Sequence, residues 1–92
     1  MIVRILNGGQ YTLDGSLFDR LNEIDNRIVK AVEKNDEEKM KSLLKEMLSL
    51  VKNNGNPLDA REIVVSDIIL PPEDLTLEDA VNIFAGSGLI PD

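Results

Sequence analysis

Hydrophobic and polar positions along this 92-residue chain follow two different patterns, first one typical of β-strands and then one typical of α-helices. Residues 2–6 and 11–13 are two short runs rich in apolar and β-branched side chains, a composition typical of strands. Between them stands Asn7-Gly8-Gly9, whose residue types tolerate the positive φ angles of tight hairpin turns. The pattern predicts an N-terminal β-hairpin.

Apolar residues then recur at intervals of three and four, which is the period of an amphipathic α-helix. Charged side chains, including Asp25, fill the other faces of this predicted helix, and Glu23 with Arg27 forms an i,i+4 pair of favourable polarity. Ser16 is the expected N-cap, with Asp19 three positions on. The apolar stripe consists of Leu17, Leu21, Ile24, Ile28 and Val32.

A second stripe with the same period predicts a second helix, joined to the first by a short turn as an αα-hairpin. Asp36 is its expected N-cap, and Gly55 followed by Pro57 is its expected stop. The stripe consists of Met40, Leu43, Leu44, Met47, Leu48 and Val51. Three more apolar residues lie off the centre of the two stripes: Phe18, Val29 and Leu50. They either widen the core or form a second, exposed apolar face.

Residues 58–70 allow more than one interpretation. A third strand is possible here, either at Glu62-Ile63-Val64-Val65 or at Ile68-Ile69-Leu70, and an extended apolar segment is the alternative for the second stretch. Pro71-Pro72 biases Leu70 away from helix. An extended acidic segment follows.

The end of the chain predicts a short helix. Thr76 is its expected N-cap, with Asp79 at the third position. Gly86 and Gly88 are expected to end it, and an apolar tail, Leu89-Ile90-Pro91, is expected to pack back onto the domain. The expected apolar face is Leu77, Ala80, Val81 and Phe84. Together the elements predict one small α+β domain over residues 1–92: an N-terminal hairpin, a long helical hairpin, the acidic segment and a short C-terminal helix.

Composition argues against catalysis. The chain has no cysteine and no histidine, so it lacks thiolate chemistry and the commonest general base and zinc ligand at neutral pH. The acids Glu73, Asp74, Glu78 and Asp79 do not follow the spacing of a calcium loop. They suit the start of a helix, with an acidic surface for a basic partner as the other possibility. We therefore expect a non-catalytic protein with no cofactor and no metal.

The charge of −7 is unevenly distributed. Residues 1–55 hold nine acidic and nine basic side chains, whereas residues 56–92 hold eight acidic side chains against Arg61. An acidic surface repels phosphate, so neither nucleic-acid binding nor direct contact with anionic lipid is expected. The chain shows no signal-peptide pattern and no apolar run near the roughly 18 residues of a membrane span. We expect a soluble, cytoplasmic protein.

The order of these segments resembles a known family. The resemblance runs through the opening Met-Ile-Val-Arg-Ile-Leu, the strand Gln10-Tyr11-Thr12-Leu13 and the helix start Leu21-Asn22-Glu23-Ile24-Asp25-Asn26, and ends with Gly88-Leu89-Ile90-Pro91. Its most specific part is Ser66-Asp67-Ile68-Ile69-Leu70-Pro71-Pro72-Glu73-Asp74-Leu75-Thr76-Leu77-Glu78-Asp79-Ala80. In these features the chain resembles the PspA-associated domain, PspAA, a companion of phage shock protein A in bacteria and archaea.

The resemblance implies a regulatory adaptor that binds a PspA-type, ESCRT-III-like coiled-coil protein during envelope stress. Membrane contact would then be indirect, through that partner at the inner face of the membrane. The expected mechanism is burial of an apolar helical stripe, with the acidic region facing basic residues of the partner. The candidate protein-binding residues are Leu70, Glu73, Asp74, Glu78 and Asp79, although the same block could instead be a structural cap on the helical hairpin. The alternative function is a self-associating module, a homo-oligomer formed through a strand edge in residues 2–6 or a spare helical face.

Overall fold

The predicted hairpin begins the sheet. A computed structural model describes residues 1–84, and in it strand β1 (Ile2–Ile5) pairs antiparallel with strand β2 (Gly9–Thr12). The turn uses φ angles of 64° at Asn7 and 86° at Gly9, the left-handed region that these residue types tolerate. The Gly8 amide donates to the Ile5 carbonyl at 2.9 Å and closes the turn. The hairpin prediction is confirmed.

The helical hairpin is also confirmed. Helix α1 (Phe18–Glu33) and helix α2 (Glu37–Asn54) pack against each other. Both predicted stripes are buried, except that Leu17 is half-buried. The off-centre residues Phe18, Val29 and Leu50 are partly buried against the same core, so they widen it instead of forming a second face. The predicted Glu23–Arg27 pair forms at 2.7 Å.

Two predictions about α1 are wrong. Ser16 is not a cap: Asp14 Oδ1 accepts from the Ser16 amide at 2.9 Å and starts a short 3₁₀ turn, Gly15–Leu17, so that α1 begins only at Phe18. The Asp14 carboxylate is the better-placed acceptor because it lies two residues before a free amide. Asp25, assigned to the charged faces, is fully buried: it lies four positions after Leu21 and three before Ile28, so the helical period puts it beside the buried stripe.

The sheet has four strands in the order β3-β2-β1-β4 within the described residues. Strand β3 (Asn56–Pro57) pairs antiparallel with β2, and strand β4 (Ile68–Leu70) pairs parallel with β1. Ile68-Ile69-Leu70 is thus the additional strand the sequence allowed. The competing stretch, residues 62–65, is not a strand, because the chain there crosses from one edge of the sheet to the other. The two-residue strand β3 was not predicted.

The inner face of the sheet packs on the helical hairpin. Val3 and Ile5 alternate with the outward residues of β1, and Ile68 and Leu70 do the same in β4. These four side chains join the helical stripes in one hydrophobic core. The opposite side, called the outer face below, carries Ile2, Arg4, Gln10, Thr12 and Ile69 by strand alternation.

Helix α3 (Leu77–Ile83) packs on α1. Thr76 Oγ1 accepts from the Asp79 amide at 3.1 Å, which confirms the predicted cap. Ala80 and Phe84 are buried as expected, but Val81, which was also assigned to the apolar face, is exposed. The predicted end at Gly86 and Gly88 and the apolar tail fall outside the described residues. No helix within residues 1–84 is both long and apolar enough to cross a membrane.

Candidate protein-binding surface

The five predicted site residues occupy three different environments. Leu70 ends β4 with its side chain fully buried in the core. Glu73 and Asp74 are exposed in the turn after Pro72. Glu78 and Asp79 are exposed in the first turn of α3. A partner could touch the four acids directly, whereas Leu70 can influence a surface only by holding its neighbours in place.

Glu78 and Asp79 have a sufficient structural role. Their carboxylates lie in the first turn of α3, where a negative charge interacts favourably with the helix dipole. The Asp79 amide is satisfied by Thr76 Oγ1. The helix dipole is a sufficient reason for acids at these two positions, so they point less specifically to binding than Glu73 and Asp74 do.

Glu73 and Asp74 form one wall of a groove whose other wall is α2. The groove has a volume of about 460 Å³, and Lys41, Lys45 and Lys52 line its α2 side. These lysines share one side of α2, because positions four and seven or eight residues apart lie above one another on a helix. The groove therefore has an acidic wall and a basic wall.

The groove continues past Lys52 towards the hairpin turn. This second part, about 350 Å³, shares Leu48, Lys52, Glu73 and Asp74 with the first part. Its remaining lining is mainly apolar or neutral: Ile5, Leu6, Asn7, Gly8 and Pro72. Leu6 is one of the large apolar side chains that stay exposed. The whole surface, called the α2 groove below, thus combines charge of both signs with an apolar end.

The ion pairs of the described residues do not bridge the two walls of the α2 groove. Lys41 Nζ pairs with Glu37 of its own helix at 3.2 Å, an i,i+4 contact. No ion pair among residues 1–84 joins Lys45 or Lys52 to Glu73 or Asp74. Charged side chains that face each other across a groove without pairing are available to a partner that brings both signs of charge.

The apolar helical stripes are not available for docking. The expected mechanism placed such a stripe against the partner, but both stripes are buried within the domain. The large apolar side chains that remain exposed in the described part of the chain lie elsewhere: Leu6, Ile63, Val65, Ile69, Val81 and Ile83. Within residues 1–84, an apolar contact with a partner through large side chains would therefore use one of these residues.

Sequence reasoning missed the lysine wall. The period of Lys41, Lys45 and Lys52 was visible, since it flanks the apolar stripe of α2. The sequence could not show that these lysines lie close to Glu73 and Asp74, because that proximity depends on the pairing of β4 with β1. Asp25 was also missed as a buried residue, and it makes a polar or charged interaction in the structure.

No metal site is formed within residues 1–84, where no three histidine, cysteine, aspartate or glutamate side chains converge. Of the four acids of the candidate site, Glu73 and Asp74 lie in a turn, and Glu78 and Asp79 lie at the start of α3. The arrangement offers fixed charges of both signs and a shallow apolar end.

Comparison with known proteins agrees with the order of the segments. The family model described as PspA-associated protein, PspAA, matches residues 1–92. No curated protein and no solved structure matches the chain. The match covers the helical hairpin, the sheet and the segment that carries Glu73 and Asp74. The chain belongs to the PspA-associated protein family, PspAA.

Proposed function

We propose that this protein is a non-catalytic adaptor that binds a PspA-type coiled-coil protein through the α2 groove. The observation that carries the proposal is its membership, over residues 1–92, of a family described as PspA-associated. The lack of cysteine and histidine and the open, two-signed groove support binding in preference to chemistry. The partner would be recognised during envelope stress on the cytoplasmic side, and membrane contact would come through it.

The dimensions of the α2 groove suit a helix. Lys41 to Lys52 spans eleven residues of α2, or about 16 Å at the rise of an α-helix. A helix from a coiled coil carries acidic and basic residues beside its apolar seam. Laid along α2, its acids would face the lysines, and its lysines and arginines would face Glu73 and Asp74. Such contacts set orientation and on-rate more than affinity.

Neutralising the acidic wall tests the groove. We expect Glu73→Gln with Asp74→Asn to raise the Kd for the purified PspA-type protein of the same organism about 2- to 30-fold, the sum of two exposed ion pairs. Titration calorimetry at low and moderate salt measures it, and affinity should fall as salt rises. Glu78 and Asp79 are left unchanged because altering them would weaken α3.

The matched control is Glu33→Gln with Glu46→Gln. It changes the net charge equally, and both residues are exposed and outside the lining of the α2 groove. Thermal unfolding of both variants confirms that they stay folded. Unchanged affinity in the groove variant, or an equal loss in the control, would reject the α2 groove as the binding surface.

A homo-oligomer is the second candidate function. The expected strand edge in residues 2–6 is wrong, because β1 is paired on both sides, with β2 and with β4. One observation still favours a homo-oligomer: β4 lies at an edge of the sheet in the described residues, and a strand edge can pair with a second chain. Light scattering at micromolar concentration distinguishes the two candidates. A protein that stays monomeric there excludes a homo-oligomer as the functional unit.

A further inference from the structure

The outer face of the sheet is crossed by one segment of chain. β3 and β4 lie at opposite edges, so residues 58–67 must pass from one edge to the other. The helices cover the inner face of the sheet, and the crossover, residues 58–67, lies over the outer face. It forms a cavity of about 350 Å³ with Arg4 and Gln10 of the outer face, to which Leu58 and Glu62 contribute.

The crossover is held at its two ends. The Leu58 amide donates to the Gln10 carbonyl at 2.9 Å, and the Asp67 amide donates to the Ile2 carbonyl at 2.8 Å. Asp67 Oδ2 also accepts from the Ile2 amide at 2.7 Å. The stretch between these anchors is positioned by the sheet without being part of it.

Apolar side chains on this stretch point into solvent. Ile63 is 100% exposed and Val65 is 88% exposed, and Ile69 on the neighbouring edge strand is 52% exposed. Single exposed apolar residues are ordinary, but three within seven sequence positions, one of them on an edge strand, make a candidate surface. None of them contributes to the core, so none is needed there for stability.

Charge limits what could cover this surface. Residues 58–70 contain three acidic side chains, Asp59, Glu62 and Asp67, and one basic side chain, Arg61. Arg61 is already paired with Asp59 at 2.8 Å, and its guanidinium holds the pKa of the Asp59 carboxyl below its ordinary value. Arg4 offsets one further acid. Glu62 and Asp67, which flank the exposed pair in sequence, leave a negative balance that favours a positively charged occupant.

The same balance disfavours a second copy of this chain. Pairing of β4 with β4 across a twofold axis would place two acidic segments side by side. Like charges opposite each other on a sheet are destabilising. A partner segment with lysine or arginine between its apolar residues meets no such cost.

We propose that the edge of β4, together with Ile63, Val65 and Ile69, is a second protein-binding surface that accepts an extended, positively charged segment as an added strand. Such a strand would extend the sheet beyond β4 through backbone hydrogen bonds, with alternate apolar side chains against Ile69 and the crossover. Ile63, Val65 and Ile69 do not line the α2 groove, so the two surfaces are formed by different residues.

An eight-residue peptide of alternating lysine and valine is the test probe. We expect saturable binding to the full-length protein at low salt with a Kd below about 1 mM by fluorescence anisotropy. Amide chemical shifts should change mainly in residues 63–70. The substitution Val65→Lys should weaken binding by about fivefold, since it removes an apolar contact and adds a like charge.

The matched control is Val81→Lys, the same replacement at an exposed valine on α3, which should leave peptide affinity unchanged. A peptide of alternating glutamate and valine should bind more weakly, and so should one with its amides methylated along one edge. Several outcomes would overturn the proposal: absent binding, equal binding of either altered peptide, or equal weakening by Val81→Lys. A dimer that Val65→Lys converts to a monomer would assign this surface to a second copy instead.

Discussion

Gly55 is the residue at which the end of α2 approaches the sheet most closely. A Cβ at this position would lie 2.6 Å from the Val51 carbonyl oxygen and 3.1 Å from Tyr11 Cβ. Its φ is −88°, an ordinary extended value, so glycine is required here for space and not for a left-handed turn. The sequence correctly placed the helix stop at Gly55, which is the C-cap of α2.

We expect Gly55→Ala to destabilise the domain by about 1–3 kcal/mol, because the added methyl group overlaps backbone atoms that cannot move independently. Urea unfolding followed by circular dichroism measures the change in the free energy of unfolding.

Gly15→Ala is the control for that substitution. A Cβ at Gly15 meets nothing within 4 Å, so the variant should stay within about 0.5 kcal/mol of the original protein. Equal effects at the two glycines would show that close approach is not the reason for Gly55.

Single buried polar residues were the least predictable feature at this scale. Asp25 lies four positions after Leu21 and three before Ile28, so the helical period places it beside the core stripe, and it is fully buried. Its charge was the reason for assigning it to the exposed faces. The period identified the buried face of α1 correctly, whereas residue type gave the wrong answer for this one side chain on it.

Among the elements, the helix starts follow side-chain acceptors. Asp36 Oδ1 accepts from the Lys39 amide at 3.1 Å, and Thr76 caps α3 in the same way, both as predicted. At the first helix two acceptors compete within three residues, Asp14 and Ser16. The structure uses the carboxylate and inserts a 3₁₀ turn. Competition of this kind shifts a predicted boundary without changing the helix itself.

This use of Asp14 predicts a pH dependence. The hydrogen bond from the Ser16 amide, with a further contribution from its side chain, holds the Asp14 pKa below the ordinary value of 3.8. The carboxylate therefore contributes its full stabilisation above pH 3.8 and loses it as pH falls through the lowered folded-state pKa. We expect a carboxyl ¹³C titration with a midpoint below 3.8.

Asp14→Asn keeps an oxygen acceptor but cannot titrate in this range, so its stability relative to the original protein should improve as pH falls. A midpoint at or above 3.8 in the original protein would contradict the role assigned to Asp14.

The strands divide into those that local pattern determines and those that pairing determines. β1 and β2 are predictable because the turn between them is made by neighbouring residues. β3 consists of Asn56 and Pro57, which have low strand propensity, and it is a strand because β2 offers hydrogen-bonding groups beside it. β4 rather than residues 62–65 joins β1 because Ile68 and Leu70 both reach the core.

At the scale of the whole molecule, a substitution at Leu70 should change the stability of the fold without changing the affinity for a partner. We expect Leu70→Ala to cost about 2–5 kcal/mol of unfolding free energy, since its side chain is fully buried. The affinity of the folded protein for the PspA-type partner should not change, in contrast to the variant at Glu73 and Asp74. Urea unfolding and calorimetry at low temperature measure the two effects.

Leu70→Ile is the second variant, in case the alanine protein does not fold. It conserves volume and should cost less than about 1.5 kcal/mol. A folded Leu70→Ile protein that binds the partner much more weakly would indicate that Leu70 contributes to recognition beyond its place in the core.

Sequence reasoning found half of the candidate site. Glu73 and Asp74 could be chosen because they follow a proline pair in an acidic, exposed stretch. The basic wall could not, because the nearest of its lysines is twenty-one positions away from Glu73 in sequence. Sites assembled from distant segments depend on topology, and the topology here depends on a parallel strand pair that no local pattern specifies.

That parallel pair also gives the sheet an order of assembly. Ile2 and Asp67, which share two hydrogen bonds, are 65 positions apart. During synthesis β1 emerges from the ribosome long before β4 does. Val3 and Ile5 therefore cannot pack beside β4 until residue 70 has left the ribosome. Contacts this distant in sequence slow folding. The nascent domain therefore passes through a stage in which the edge of β1 that later pairs with β4 is unpaired, and an unpaired strand edge promotes aggregation.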